Sequence, residues 1–378
     1  AGRLVRLIEG AEGVTALPAY DVELFFDGNS KFSALKRDLA AAADTIDLQY
    51  FMWSQDRLTT EITDILIERI AAGVEVRLLY DVVGSLIFRK DEVRRLRAAG
   101  AKVRVVWSGA GKLFYRDHRK IVVIDGTLGY TGGLNVGLRY VDGVRRHPGW
   151  RDTHVRFKGP AVADLQKLFA IFWLEVTGED LFTERFFPAE YPETGRASLA
   201  QVVSTAADEP WEPARRAYVA TMSEATERLW IQSPDYVPNP EAHAALVAAA
   251  LSGLDVRLMI TGWTDRPVYN WATEWYLASL LDAGVVIHRQ REGCMHAKTL
   301  TVDDYLVVVG SMNLDVRSLS MHKEVAVWFY DPAVVAENEA AFLRDMEGCS
   351  VVTREMVESW PWPRRLRNAA ARLVSTLM

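Results

Sequence analysis

A chain of 378 residues has room for two ordinary domains or one large duplicated fold. Its net charge of −6, with 49% hydrophobic and 25% charged residues, describes a globular protein with a substantial core. That charge counts against a dedicated nucleic-acid binder, which carries basic excess. Two cysteines, Cys294 and Cys349, are too few for a disulfide scaffold. No apolar run approaches the length that spans a bilayer.

In chain order, the sequence opens at Ala1 with no signal-peptide pattern, which leaves open a removed targeting segment. Residues 45–53 (TIDLQYFMW) read as a buried strand and residues 58–72 as an amphipathic helix. Residues 74–80 (VEVRLLY) read as a second strand, 94–99 as a helix and 102–107 as a further extended segment. This alternation predicts an α/β sandwich with helices packed on a sheet. The pattern then recurs. Gly73-Val-Glu-Val-Arg-Leu-Leu returns as Gly253-Leu-Asp-Val-Arg-Leu-Met, and Ala99-Gly100 returns as Ala283-Gly284 before a strand at 285–288. A motif around His118 returns around His296 at nearly the same offset, so the chain reads as an internal duplication. The expected organisation is two halves, 1–187 and 199–359, joined by a turn-rich linker at 188–198 and followed by a tail at 360–378.

The first motif copy is His118-Arg-Lys120-Ile-Val-Val-Ile-Asp125, followed by Gly132-Gly133-Leu-Asn135. The second is His296-Ala-Lys298-Thr-Leu-Thr-Val-Asp303, followed by Gly310-Ser311-Met-Asn313. One spacing rule governs both, a coincidence that two unrelated stretches would rarely produce. Residues two apart on a strand share a face, so His118 projects with Lys120 and His296 with Lys298. Asp125 and Asp303 have the opposite parity and fall at the strand end, a place suited to bracing the motif. Gly133 and Ser311 lie where backbone can approach a ligand, and the Asn135 and Asn313 amides can donate to an anionic oxygen. Neither copy makes a complete site. Across a pseudo-twofold axis, two ammonium groups would neutralise phosphoryl oxygens while one neutral histidine attacks phosphorus and the other, protonated, donates to the leaving oxygen.

The doubled pattern resembles the phospholipase D superfamily, and its segments resemble the bacterial cardiolipin synthases within it. The similarity runs from about Val22 to about Met346, with 76–85 (VRLLYDVVGS), 150–162 (WRDTHVRFKGPAV), 234–238 (PDYVP) and 310–318 (GSMNLDVRS) especially alike. The resemblance implies a duplicated phospholipase D-like sandwich with one shared active site, His118 as nucleophile and His296 as general acid. It also implies that Asp152 and Glu324 are the carboxylates that orient the two rings. Two departures stand out: Gly133 replaces the serine more usual there, and His322 stands where asparagine is expected in the synthases.

The other readings are plainer. His147, His154, His243 and His288 read as ordinary surface or strand residues, and Cys294 as a small buried thiol. No third His or Cys stands at a spacing suited to a metal, so no metal and no cofactor are expected. The tail places Trp362, Leu366, Ala369, Leu373 and Leu377 at helical spacing among arginines. It suits an anionic membrane surface, docking on its own domain, or docking on a second protomer. The resemblance points to phosphatidylglycerol as substrate and to phosphatidyl transfer between two such molecules with loss of glycerol, on the cytoplasmic side of a bacterial membrane. The alternatives are a phospholipase D or nuclease that uses water, and a silent membrane scaffold. Nucleic acid is not an expected partner, and the oligomeric state stays open.

Overall fold

The computed structural model describes residues 2–82, 84–85, 90–106, 116–145, 147–205, 212–264 and 266–375. Trp107 and Leu377, which belong to the expected strand and tail patterns, lie outside these, as does Val83.

Among the described residues, fifteen main strands build one sheet. In the first half they are β1 (Leu17–Asp27), β2 (Thr45–Tyr50), β3 (Glu75–Asp81), β4 (Lys102–Val106), β5 (Lys120–Ile124), β6 (Leu128–Gly132) and β7 (Trp150–Lys158). The second half contributes β8 (Ala197–Thr205), β9 (Arg228–Gln232), β10 (Asp255–Ile260), β11 (Val286–Gln290), β12 (Thr299–Val302), β13 (Leu306–Gly310), β14 (Glu324–Tyr330) and β15 (Cys349–Val352). From one edge the order is β15-β11-β10-β9-β12-β13-β14-β8, then β1-β7-β6-β5-β2-β3-β4. Read outward from the β1–β8 junction, the two sides repeat one another: three antiparallel steps, one more into the strand before the βαβ units, then parallel pairs. The duplication expected from the sequence is therefore a pseudo-twofold within one continuous sheet, closed by the antiparallel β1–β8 pair.

The central strands are buried on both faces because helices cover both sides of the sheet. On β5, Val122 and Ile124 enter one core while Ile121 and Val123 enter the other, the period of two that an extended chain imposes. The core around Phe157, Phe169, Trp173, Val327 and Phe329 draws on both halves, so the halves share buried apolar surface as well as sheet hydrogen bonds. Residues 188–196 form no helix or strand. Helix Gly2–Glu12 buries Leu4 and Ile8 in the core of the second half.

The predicted strand at 45–53 ends at Tyr50, because the chain then turns to bond Val136: Ser54 N donates to the Val136 carbonyl. Helix Arg57–Ala71 agrees with its prediction to a residue and is capped by Asp56, whose carboxylate accepts from Thr59 N.

Candidate active site

Each motif strand is fastened at its far end by its aspartate. Asp125 accepts from the amides of Ala43, Asp44 and Thr45 at 2.8–2.9 Å, tying the end of β5 to the start of β2. Asp303 accepts from the amides of Thr226, Glu227 and Arg228 and from the Thr226 hydroxyl, tying β12 to β9 in the same way. Both sit in the left-handed region, with φ of 51° and 49°, a conformation that aspartate tolerates. Their carboxylates are thus consumed by backbone.

The histidines lie just before β5 and β12, where the chain leaves its own half. Asp117 bridges to Lys323, with His118 N donating to the Lys323 carbonyl and Lys323 N to the Arg116 carbonyl. Cys294 and Met295 pair with Trp150 and Arg151, and His296 N donates to the Arg151 carbonyl. These bridges set each histidine beside the carboxylate of the opposite half. His118 Nδ1 lies 2.9 Å from Glu324 Oε2, and His296 Nδ1 lies 2.7 Å from Asp152 Oδ2. Each of the two carboxylates named from the sequence thus contacts a motif histidine, and the pairing is crossed between the halves.

With Nδ1–H donated to a carboxylate, Nε2 is the ring nitrogen that carries the lone pair in each neutral histidine. Lys298 Nζ also lies 2.7 Å from His296 Nδ1. An ammonium only donates, so one nitrogen cannot serve both partners. We assign Nδ1–H to Asp152, and Lys298 donates to the His296 carbonyl instead. Lys120 donates likewise to the His118 carbonyl.

The glycine–asparagine segments serve close packing. A Cβ on Gly310 would fall 2.3 Å from Ala326 Cβ, and one on Gly133 would fall 1.9 Å from Asp152 Oδ1. The space of the serine absent from the first half is therefore taken by the Asp152 carboxylate. In the second half Ser311 is present, and its hydroxyl donates to Glu324 together with that of Ser318. Asn135 Oδ1 accepts from Met52 N and its Nδ2 donates to the Tyr140 hydroxyl. Asn313 Nδ2 donates to Asp315, while Asn313 Oδ1 is buried without a hydrogen bond.

Burial dominates the electrostatics. It pushes His118 well below the usual histidine value, helped by the charges of Lys120 and Lys298, and brings His296 to about 4 against the pull of Asp152. Burial also draws Lys120 down to about 7 and lowers Lys298. The two carboxylates diverge. Desolvation lifts Glu324, whereas for Asp152 it is outweighed by Lys298, His296 and the Thr153 amide, which hold the group below the usual range.

Two cavities meet at His118. One of about 150 Å³ reaches His296 past Asn135, Trp150 and Trp263. The other, about 390 Å³, is lined by Arg116, Arg266, Tyr269, Asn313, Arg317 and His322, and shares Phe51 and Arg266 with the first. The sequence reading missed the arginines and the aromatic side chains, which belong to no motif. His322, the departure noted above, has its ring centroid 6.3 Å from that of His118, and burial pushes it to about 3. His154 is fully buried with no hydrogen bond to either ring nitrogen, and Cys294 is buried beside the smaller cavity.

This duplicated sheet, with two histidine–carboxylate pairs facing one cleft, defines an enzyme of the phospholipase D class. The family model described as "Cardiolipin synthase, PLD-like domain" matches residues 35–147 and 218–346. The chain belongs to that family. It is 35% identical over 364 residues to the major cardiolipin synthase ClsA of Bacillus subtilis (strain 168), covering 94% of this chain and 75% of that protein. It is 36% identical over 342 residues to cardiolipin synthase 2 of Staphylococcus epidermidis, covering 89% and 70%. Among solved structures, phosphatidylserine synthase from Haemophilus influenzae Rd KW20 superimposes with a TM-score of 0.75 over 99% of each chain at 14% identity. Polyphosphate kinase from Porphyromonas gingivalis gives a TM-score of 0.60, also at 14% identity, over 89% of this chain and 49% of that one. At that identity the two structures speak for the fold alone.

Proposed function

We propose that this protein transfers the phosphatidyl group of one phosphatidylglycerol to the hydroxyl of a second, releasing glycerol and forming cardiolipin. His118 Nε2 attacks phosphorus, and the P–O bond to the glycerol headgroup breaks. His296 gives its proton to the departing oxygen. The acceptor hydroxyl then attacks phosphatidyl-His118, returns its proton to His296 and frees the His118 ring. Lys120 and Lys298 hold the non-bridging oxygens throughout.

The observation that carries this reading is the pair of crossed histidine–carboxylate contacts in one cleft. Their asymmetry supports the roles. An anionic Asp152 favours imidazolium on His296, as a general acid requires, and opposes the burial that brings the ring to about 4. Glu324, lifted by desolvation, favours it less on His118, which suits a neutral nucleophile. The test is product analysis in mixed micelles of phosphatidylglycerol: cardiolipin and glycerol in equal amounts are expected, and phosphatidic acid as sole product would reject the synthase.

The reading extends to an anionic membrane surface. Helix Trp362–Ser375 docks on helix Pro267–Asp282 through its polar side: Arg364, Arg367 and Asn368 all bond the buried Glu274 carboxylate. Its apolar stripe faces outward, with Trp362, Leu366 and Leu373 exposed by 74%, 62% and 67%, flanked by exposed Arg365 and Arg372. Such a face suits insertion among anionic headgroups. Among the described residues no helix is long and apolar enough to cross a membrane. Replacing the three apolar residues with glutamine should reduce cosedimentation with phosphatidylglycerol vesicles about tenfold or more while circular dichroism is unchanged. Unchanged vesicle binding would reject the membrane face.

A further inference from the structure

The larger cavity is more cationic than the chemistry at phosphorus requires. Two lysines already serve the transferred phosphoryl group, yet Arg116, Arg266 and Arg317 line a separate chamber of about 390 Å³ that opens on His118. Among the described residues the one carboxylate on its lining, Asp315, is engaged: Oδ1 accepts from Ser318 N at 2.8 Å and Oδ2 from Asn313 Nδ2 at 3.2 Å. Burial and the neighbouring charges of Arg266 and Arg116 press the Arg317 guanidinium down, against the pull of Tyr269 and Asp315. Asn313 Oδ1 and His322 Nε2, on the same lining, are buried without hydrogen bonds.

The framework fixes these groups. Arg116 lies two residues before His118, and its carbonyl is held by Lys323 N. Arg317 rides on the helical turn Val316–Ser320, capped by Asp315, and its Nη1 lies 3.3 Å from the Tyr269 hydroxyl. Tyr269 in turn packs in one apolar cluster with Ala371 of the outward-facing C-terminal helix, which sets this chamber next to the membrane face argued above.

We propose that the arginine chamber is a second phosphodiester site, which holds the phosphate of the acceptor lipid while that lipid's glycerol hydroxyl reaches phosphatidyl-His118. The proposal rests on the transferase reading and deepens it by naming what selects a lipid acceptor over water. Guanidinium groups suit a diester because they offer paired N–H donors in a plane. A phosphate anchored there leaves its glycerol arm one short bridge from the reacting phosphorus, and occupancy of the chamber displaces water from the attack position. The step balances: the hydroxyl oxygen bonds to phosphorus, the P–N bond to His118 breaks, and the hydroxyl proton passes to neutral His296 Nε2.

Partitioning of the common intermediate tests this. Short-chain phosphatidylglycerol is supplied with radiolabelled glycerol, and the ratio of cardiolipin formed to glycerol exchanged is measured. Both products arise from the same phosphohistidine, so the ratio reads the acceptor step alone. Arg116→Gln/Arg317→Gln should lower the ratio about tenfold or more, with exchange falling far less than synthesis, while Arg317→Lys, which keeps the charge but loses the paired donors, should lie between that variant and the wild type. A ratio that stays constant as both products fall would overturn the proposal. Calorimetric titration with soluble glycerophosphoglycerol separates the two readings. If the wild type makes no cardiolipin, the transferase reading fails. A binding stoichiometry that nonetheless falls from two to one in the double variant still supports a second diester site, and a stoichiometry the variant leaves unchanged overturns it.

Discussion

Lys120 is fully buried, its Nζ donates to the His118 carbonyl, and burial draws its ammonium from 10.5 to about 7. A difference of that size corresponds to roughly 5 kcal/mol of discrimination against the charged form. On the proposed mechanism, the charge that serves catalysis is therefore held at the expense of stability. Lys120→Met keeps the length of the side chain and removes the ion. It also deprives Glu324 of the cation that most lowers its pKa, which offsets part of the gain. The variant should be more stable at pH 7 by about 1–3 kcal/mol and should lose transfer activity by several orders of magnitude. The sign with pH follows from the lowered folded-state value. Between pH 7 and 10.5 the unfolded lysine binds a proton that the folded one has lost, so wild-type stability rises with pH through that window. The advantage of the methionine variant should shrink by about 2–3 kcal/mol from pH 7 to pH 9. Urea unfolding of both proteins at the two pH values checks this. A variant that is less stable at pH 7, with a deficit that does not change by pH 9, would show that Glu324 and Asp152 fully compensate the buried ammonium and would refute the reasoning.

His118→Ala should abolish transfer and adduct formation, whereas His296→Ala should still accumulate phosphatidyl-His118 from a donor with a nitrophenol leaving group, as trapped adducts would reveal; the reverse pattern exchanges the two roles. Because the carboxylates are crossed, Asp152→Asn should reproduce the His296→Ala pattern and Glu324→Gln the His118→Ala pattern, each with a loss of about 10²–10⁴-fold. Pairing within each half would give the opposite assignment in the same single-turnover assay. Activity in detergent micelles should survive a chelator, since two lysines supply the charge a divalent ion provides elsewhere, and restoration by one specific ion after chelation would contradict that.

The motif strands were legible in the sequence because their information is local. β5 and β12 follow a His-x-Lys start with a run of β-branched and apolar residues, and each aspartate sits at the turn that ends its strand. The central junction was not legible. β1 reads Leu-Pro-Ala-Tyr-Asp-Val-Glu-Leu-Phe-Phe-Asp, with acidic residues at 21, 23 and 27 and a proline at its second position, and its partners β7 and β8 lie far along the chain. The crossing of the carboxylates was equally hidden. Sequence proximity suggests that Asp152 serves His118 and Glu324 serves His296, and only the bridges at Asp117–Lys323 and Cys294–Trp150 exchange them. In the tail, helical spacing identified the stripe but not which side faces the protein. That choice is made by Glu274, a buried carboxylate on another helix that gathers the arginine side inward and leaves the apolar side to solvent. The arginines of the larger chamber come from three separate segments, and no spacing rule joins them.

On the proposed mechanism, duplication explains how a single cleft could perform two unlike proton tasks. Two identical halves would give two equivalent histidine–carboxylate pairs, and the choice of nucleophile would then fall to the substrate alone. Here the pairs differ. Gly133 lets the short Asp152 side chain fill the space of a missing serine, where Lys298 and the Thr153 amide keep it ionised. Glu324 is longer, accepts from Ser311 and Ser318, and is raised by desolvation. The replacement of one serine by glycine and the difference of one methylene between the carboxylates act together, and both favour a proton on His296 over one on His118. The same break in symmetry recurs around the cleft, where the His118 side opens into the arginine-lined chamber and the His296 side into the smaller one. On the proposed reading, the half that donates Glu324 also carries Arg317 and the membrane-facing helix, so orientation of the nucleophile, capture of the acceptor and approach to the lipid surface all depend on the second half of the duplication.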